Sequence, residues 1–454
     1  MKSTLQFIGA TGTVTGSKYL LTLKESRVLI DCGLFQGLKV MRERNRRPLP
    51  VRENKVEAII LTHAHLDHSG YIPLMVKNGF RGKIFCTSAT GALCDILLPD
   101  SGHLQEEDAE FANRHNYSKH TPALPLYTEK DARKSLKYLR SVDFEEKIKI
   151  ARQIRAEFFP AGHILGSSIV RVTLDGIVIT FSGDLGRQKN TTHFPPSKVP
   201  YTDYLVLEST YGDRVHSEED PEDIISKIIN DTVRNGGRIL MPSFAVGRAQ
   251  QLLYIIYKLK RKNAIPDIPI YVDSPMASEA TRIFLDYPEE SRISIEECRG
   301  FFQIAKFVES AKDSKALSDN KNPSVIISAS GMATGGRVLH HLKVIAPDPK
   351  NSVLFAGYQA RGTRGEAIVA GNKFIKIHGE QIPIKANVFQ LDTLSAHADS
   401  EEILTWLRTF KKPPKMTFIT HGEPSASESL RLKIKEQLGW NCTVPDYLEK
   451  VVLH

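Results

Sequence analysis

Thr62-His63-Ala64-His65-Leu66-Asp67-His68-Ser69-Gly70 packs three imidazoles and a carboxylate into six residues, directly after the apolar run Ala58-Ile59-Ile60-Leu61. The run reads as a buried strand, and the polar cluster as its exit. His63 and His65 are two apart, so in an extended segment both side chains point to one side and can share a metal. Asp67 and His68 follow where the chain turns towards a helix, placed to serve a second metal. Core packing gives no reason to gather four costly polar groups. Imidazole and carboxylate donors without thiolate suit Zn²⁺, with Mn²⁺ or Fe²⁺ as lesser alternatives.

Other apolar runs end the same way. Val28-Leu29-Ile30 leads to Asp31, Phe158-Phe159-Pro160-Ala161-Gly162 to His163, and the run from Ile177 to Gly183 to Asp184. Tyr204-Leu205-Val206-Leu207 leads to Glu208, and Met416-Thr417-Phe418-Ile419-Thr420 to His421. A second group of strands, between about 213 and 390, ends instead in Ser, Gly and Arg. These ends are Pro242-Ser243-Phe244-Ala245-Val246-Gly247-Arg248, Asp273-Ser274-Pro275-Met276-Ala277, Ser328-Ala329-Ser330-Gly331-Met332 and Gly357-Tyr358-Gln359-Ala360-Arg361-Gly362. Helical periods such as Gln250 to Lys262 separate them, as in a doubly wound α/β lobe with its functional edge at the strand ends. The expected organisation is one lobe built from 1–212 and 391–454, with a second, 213–390, inserted after Glu208.

With 454 residues, two or three domains are expected, and 41% hydrophobic with 25% charged residues fits a globular chain. No stretch approaches a membrane span, and the first residues read as a strand and a Gly-rich turn, not a secretory signal. A cytoplasmic location is the resulting expectation. The five cysteines show no C-x-x-C spacing, so neither a disulfide framework nor a thiolate zinc site is indicated. A net charge of +9 suits a polyanionic partner. The stretch Lys39-Val40-Met41-Arg42-Glu43-Arg44-Asn45-Arg46-Arg47 either lines a substrate's approach or is a solvated basic loop.

In order and spacing, Asp31, the His63–His68 cluster, His163 and Asp184 resemble the successive motifs of the metallo-β-lactamase superfamily. The resemblance implies an αβ/βα sandwich with a dinuclear site at one edge, holding two Zn²⁺ ions. By position, His63, His65 and His163 would hold one ion, Asp67, His68 and His421 the other, and Asp184 would bridge both. Asp31 would orient a ligand by hydrogen bonding. Zinc of this kind lowers the pKa of bound water from 15.7 to about 7, which supplies hydroxide at neutral pH.

Three further segments resemble the extra motifs of the β-CASP nucleases: Glu208-Ser209-Thr210-Tyr211-Gly212-Asp213, Leu394-Ser395-Ala396-His397-Ala398-Asp399 and Ile419-Thr420-His421-Gly422-Glu423. The likeness covers essentially the whole chain. It implies a zinc-dependent ribonuclease, endonuclease or 5′-to-3′ exonuclease, that hydrolyses single-stranded RNA in RNA processing or decay with metal-bound hydroxide. His397 would be the general acid, Glu208 the acceptor at its other nitrogen, and Asp67 a member of the catalytic set as well as a ligand. A His at position 397 resembles the RNA-processing branch. Ser330, Gly331, Arg361 and Arg248 are the expected phosphate contacts, with Ser243, Ser274 and Thr334 as weaker ones. A cleft between the lobes would admit a single strand better than a duplex. No appended recognition domain is evident, so a partner for sequence recognition would come from elsewhere, such as an RNA-processing complex, and a homodimer is possible because relatives form one. Two other readings compete. A small-molecule metallo-hydrolase of the same fold has no need of the insertion, and a non-catalytic scaffold subunit would not keep every ligand.

Overall fold

The computed structural model describes residues 3–115, 120–357, 359–360 and 362–454. It divides into two compact units, Met1–Val215 with His397–His454, and His216–Ala396.

The first unit holds two seven-stranded sheets. One runs in the order Lys450–Leu453, Ser3–Phe7, Tyr19–Leu23, Ser26–Ile30, Ala58–Ile60, Lys83–Thr87, Leu139–Val142. The other runs Cys442–Thr443, Met416–Ile419, Tyr204–Leu207, Ile177–Phe181, Ser168–Leu174, Ile154–Pro160, Ile148–Ala151. Strand alternation explains their stacking. Leu5, Phe7, Val28 and Ile30 share one buried cluster with Phe158, Val170, Phe181 and Val206 of the opposite sheet. The reverse face of the second sheet, Leu205, Leu207 and Ile419, packs on the helices Ser400–Leu407 and Pro424–Leu438 through Trp406, Leu430 and Ile434. The long helix Ser88–Arg114 lies against the strands Lys83–Thr87 and Leu139–Val142 of the first sheet. Sheets inside and helices outside make the αβ/βα sandwich.

Parallel pairing fixes where the polar strand ends go. Ser26–Ile30 pairs parallel with Ala58–Ile60, and Tyr204–Leu207 with both Ile177–Phe181 and Met416–Ile419. Asp31 and His63 therefore leave one sheet at a shared edge, and Asp184, Glu208 and His421 leave the other likewise.

The second unit is a six-stranded parallel sheet, ordered Ala305–Phe307, Ile270–Asp273, Val325–Ser328, Ile239–Pro242, Ser352–Ala356, Asn387–Leu391. Helices cross between strands, as parallel connections require. Arg248–Arg261 follows the strand Ile239–Pro242, and Val338–Ile345 follows Val325–Ser328. The loops after Pro242, Asp273, Ser328 and Ala356 emerge at one edge.

Candidate metal centre

Seven side chains converge within the first unit. His63, His65, His163 and Asp184 offer ligand atoms within 4.8 Å of one another, as do Asp67, His68 and His421. Asp184 also stands between the groups: one carboxylate oxygen is 3.4 Å from His63 Nε2 and 3.5 Å from His163 Nε2, the other 3.2 Å from His68 Nε2 and 3.6 Å from His421 Nε2.

The surroundings assign the imidazole tautomers. Asp31 accepts from His68 Nδ1 at 2.8 Å, and from the backbone N–H and hydroxyl of Thr62 at 2.8 and 3.0 Å. With its proton given to Asp31, the Thr62 hydroxyl accepts from His63 Nδ1 at 3.1 Å. Thr210 repeats the device: its hydroxyl donates to the His421 carbonyl and stands 3.1 Å from His421 Nδ1. Each of these rings is thereby left with an Nε2 lone pair turned into the site.

The inward ring nitrogens then face one another, those of His68 and His421 as two lone pairs. His63 Nε2 and His163 Nε2 each lie 3.2 Å from His65 Nδ1, and His68 Nε2 lies 3.0 Å from His421 Nε2. Asp184 Oδ1 is buried and makes no hydrogen bond among the described residues. Acceptors at such spacing repel unless positive charge lies between them, so this donor set fits divalent cations. Electrostatics point the same way. Burial holds His63 down to about 3 and His65 to about 4, keeping both neutral as ligation requires. Burial favours a neutral Asp184, yet the imidazoles of His421, His68 and His63 hold it well below the usual carboxylate range. His68 runs the other way: burial opposes its charge, but Asp184 and Asp31 outweigh it and push that ring well up, so a cation held there would displace a proton from Nε2.

Glu208 and His397 complete the edge. Glu208 is fully buried; one of its carboxylate oxygens accepts from the Leu185 amide at 2.6 Å and the other lies 3.1 Å from His397 Nδ1. His397 Nε2 is thus turned inward, 3.9 Å from Asp184. Burial disfavours its charged form, but Glu208 and then Asp184 prevail and lift it to about 9.

Comparison with known proteins decides the family. The model of the metallo-β-lactamase superfamily matches residues 11–222, that of the Beta-Casp domain 249–368, and that of the Zn-dependent metallo-hydrolase RNA specificity domain 381–445. A ribonuclease of Thermus thermophilus is 36% identical over 91% of this chain and 92% of its own length. The chain belongs to the β-CASP family. An RNase J-like protein of Methanocaldococcus jannaschii is 32% identical over 97% of both chains. The transcription termination factor FttA of Methanosarcina mazei is 32% identical over 95% of this chain and 68% of its own. A crystal structure of a protein of unknown function from Enterococcus faecalis shares the fold, with a TM-score of 0.54 at 15% identity over the whole of both chains. As a β-CASP protein the chain is a metal-dependent hydrolase acting on RNA. No helix among the described residues is long and apolar enough to cross a membrane.

Several β-CASP residues that matter here escape a sequence reading. Thr62 and Thr210 look like ordinary residues after a strand and Ser17 like one before a strand, yet they orient His63, His421 and the Asp67–His68 segment, Ser17 through its amide on the Asp67 carbonyl at 2.8 Å. Lys18 had a signal: a lysine opening the apolar run Tyr19-Leu20-Leu21. It is buried, donates to the carbonyls of Gly16 and Gly33, and lies over the rings of Phe35 and Tyr71. Burial draws its ammonium down to about 8.

The basic run divides between surface and framework. Asn45 is buried and bonds both the amide and the carbonyl of Phe35, while Arg44 stacks 4.1 Å from the Tyr447 ring. Lys39, Arg42 and Arg46 remain outside, in short helical turns.

In the second unit, Ser330, Gly331, Thr334, Ser243 and Arg248 gather at the strand-exit edge. The Ser330 and Thr334 hydroxyls are 2.9 Å apart, Gly331 packs on the Phe244 backbone, and Arg248 bonds Gln251. The Ser274 hydroxyl accepts from the Ala277 amide as a helix cap. Arg361 lies outside the described residues. All five cysteines are unbridged.

Proposed function

We propose that this protein hydrolyses phosphodiester bonds of single-stranded RNA in the cytoplasm with two zinc ions, one held by His63, His65 and His163, the other by Asp67, His68 and His421, with Asp184 between them. Ions bound there supply a nucleophile from water and neutralise charge on the phosphate. The observation that carries the reading is the Glu208–His397 pair. A carboxylate on Nδ1 fixes the tautomer and holds a proton on Nε2, the atom turned towards Asp184 and therefore towards the leaving oxygen. A small-molecule hydrolase of the same fold has no need of the inserted second unit, nor of Glu208 and His397 in these sequence contexts. Asp31 keeps His68 oriented, and retention of all these groups argues against a scaffold that has lost its chemistry.

Ser330, Gly331, Arg248 and Arg361 are the proposed phosphate contacts. The loop after Ser328 is built for an anion. Its carbonyls from Ala329 to Thr334 are occupied within the protein by Val338, Ala333, Gln359, Gly365 and Arg364. The amides of Ala333 and Thr334 are bonded within the loop, to the Ser330 carbonyl and hydroxyl, and those of Ser330, Gly331 and Met332 are the ones proposed to meet the phosphate.

The test is His397→Ala beside Glu208→Gln, each checked for zinc content and RNA binding. Cleavage should fall by on the order of 10²–10⁴ with metal and RNA still bound, the range for a lost general acid. Wild-type cleavage by His397→Ala would contradict the assignment.

A further inference from the structure

Asp273, at the end of the strand Ile270–Asp273, is fully buried and lies outside everything so far assigned. It pairs in register with Ser328, the last residue before the Ala329–Arg337 loop. The Ser328 hydroxyl donates to the Asp273 carbonyl at 3.0 Å. From the loop's other end, Arg337 reaches back to the Asp273 carboxylate at 2.7 Å, and His341 Nε2 meets its second oxygen at 2.6 Å. Ser314 fills the remaining position at 2.5 Å. The same guanidinium also donates to the carbonyls of Val308 and Glu309, at 2.9 and 2.7 Å.

Simple packing does not account for this cluster. Burying a carboxylate is expensive, and a hydrophobic side chain of similar volume would usually fill the place at no loss of stability. What an apolar residue cannot do is tie both ends of one loop to one point. Arg337 and Ser328 bracket Ser330, Gly331 and Thr334, and each meets a different part of Asp273.

We propose that Asp273 is a positioning residue for RNA: through Ser328 at the loop's entry, and Arg337 and His341 at its exit, it holds the Ser330–Thr334 segment in the shape that receives a backbone phosphate. This rests on the phosphate-contact reading above. Arg337 is the strut and His341 its buttress; neither touches the substrate. A preformed loop meets the anion without first being ordered, so the effect falls on binding.

The experiment uses the whole zinc-loaded protein and a 5′-labelled single-stranded RNA, with four variants: Asp273→Asn, Arg337→Lys, Ser330→Ala and the Asp273→Asn/Ser330→Ala pair. Arg337→Lys keeps the charge but loses the fork, and serves if Asp273→Asn fails to fold. Amide hydrogen exchange across 329–337 should quicken in Asp273→Asn and Arg337→Lys. KM should rise about tenfold, the loss of one hydrogen bond to an anion, with kcat at saturating RNA nearly kept. Ser330→Ala should raise KM in the wild-type background but add little to Asp273→Asn, since the two act through one loop. Unchanged exchange in folded variants, or additive effects in the pair, would overturn the proposal. If Ser330→Ala alone leaves KM untouched while wild type cleaves RNA, the phosphate-contact reading fails first and takes this one with it.

Discussion

A methyl group added at Gly33 would stand 1.6 Å from the carbonyl oxygen of Asp67, 2.1 Å from its carbonyl carbon and 2.7 Å from the His68 nitrogen. Cβ atoms do not approach such groups closer than 3.0 Å, so in Gly33→Ala the two backbone segments must part by at least about 1.4 Å. The segment that moves carries two of the proposed ligands, Asp67 and His68. Ser17 and Cys32 now fix it through the carbonyls of Asp67 and His68, at 2.8 and 2.6 Å. Zinc–ligand distances tolerate about 0.2 Å, so the displacement is several times what coordination allows. Overpacking of this kind costs about 1–3 kcal/mol, which a large two-sheet core can absorb. The expected result is therefore a folded protein with a damaged site. Chelator-competition titration should find one tight zinc equivalent in place of two, the second weakened at least about 100-fold, and a smaller rise in Tm on adding zinc. Gly91→Ala is the control: its methyl group would meet only Cys86 Sγ, at 3.7 Å, inside the helix Ser88–Arg114, and alanine favours helix. Two equivalents bound by Gly33→Ala with wild-type affinity would refute the reasoning.

Thr210→Val removes the hydroxyl that accepts from His421 Nδ1 and should weaken zinc at the Asp67, His68 and His421 group by about 10–100-fold, with the His63 group unaffected in the same titration; equal affinity at both would count against the tautomer assignment. In Glu208→Gln the support that lifts His397 to about 9 is lost, so the alkaline limb of kcat should move to lower pH. Bound cations lower His397 in both proteins and leave that direction unchanged. The metal-free protein carries a matching stability signature. A histidine raised above its ordinary 6.5 stabilises the fold most fully below that value, and the contribution fades as pH rises through about 9. Tm against pH should therefore fall over that window in wild type and flatten in Glu208→Gln; parallel curves would contradict the pairing.

The side chains proposed as metal ligands are legible in the sequence because coordination demands residue types that a strand end otherwise avoids. Four such groups between His63 and His68 have no packing explanation, and His163, Asp184 and His421 repeat the theme after apolar runs. Their helpers are not legible. Thr62 and Thr210 orient imidazoles, but a threonine after a strand carries no mark of its partner. Ser274 shows the converse: like Ser330 it follows a strand of the second unit, yet its hydroxyl caps a helix, and sequence cannot tell a hydroxyl that meets a ligand from one that meets an amide. The run from Lys39 to Arg47 divides similarly, since Asn45 and Arg44 face inward to Phe35 and Tyr447 while their neighbours face water. His341 is fully buried against Asp273, a pairing 68 residues apart that no local pattern announces.

The central claim is tested most directly by incubating the zinc-loaded protein with a 5′-labelled single-stranded RNA and, separately, the matching DNA, before chelation, after chelation and after zinc is restored. The account predicts cleavage that prefers RNA, stops with the chelator and returns with zinc, its fragment ladder separating endonuclease from 5′-to-3′ exonuclease action. A protein shown to hold two zinc ions that cuts neither strand, or cuts DNA as readily as RNA, would contradict it.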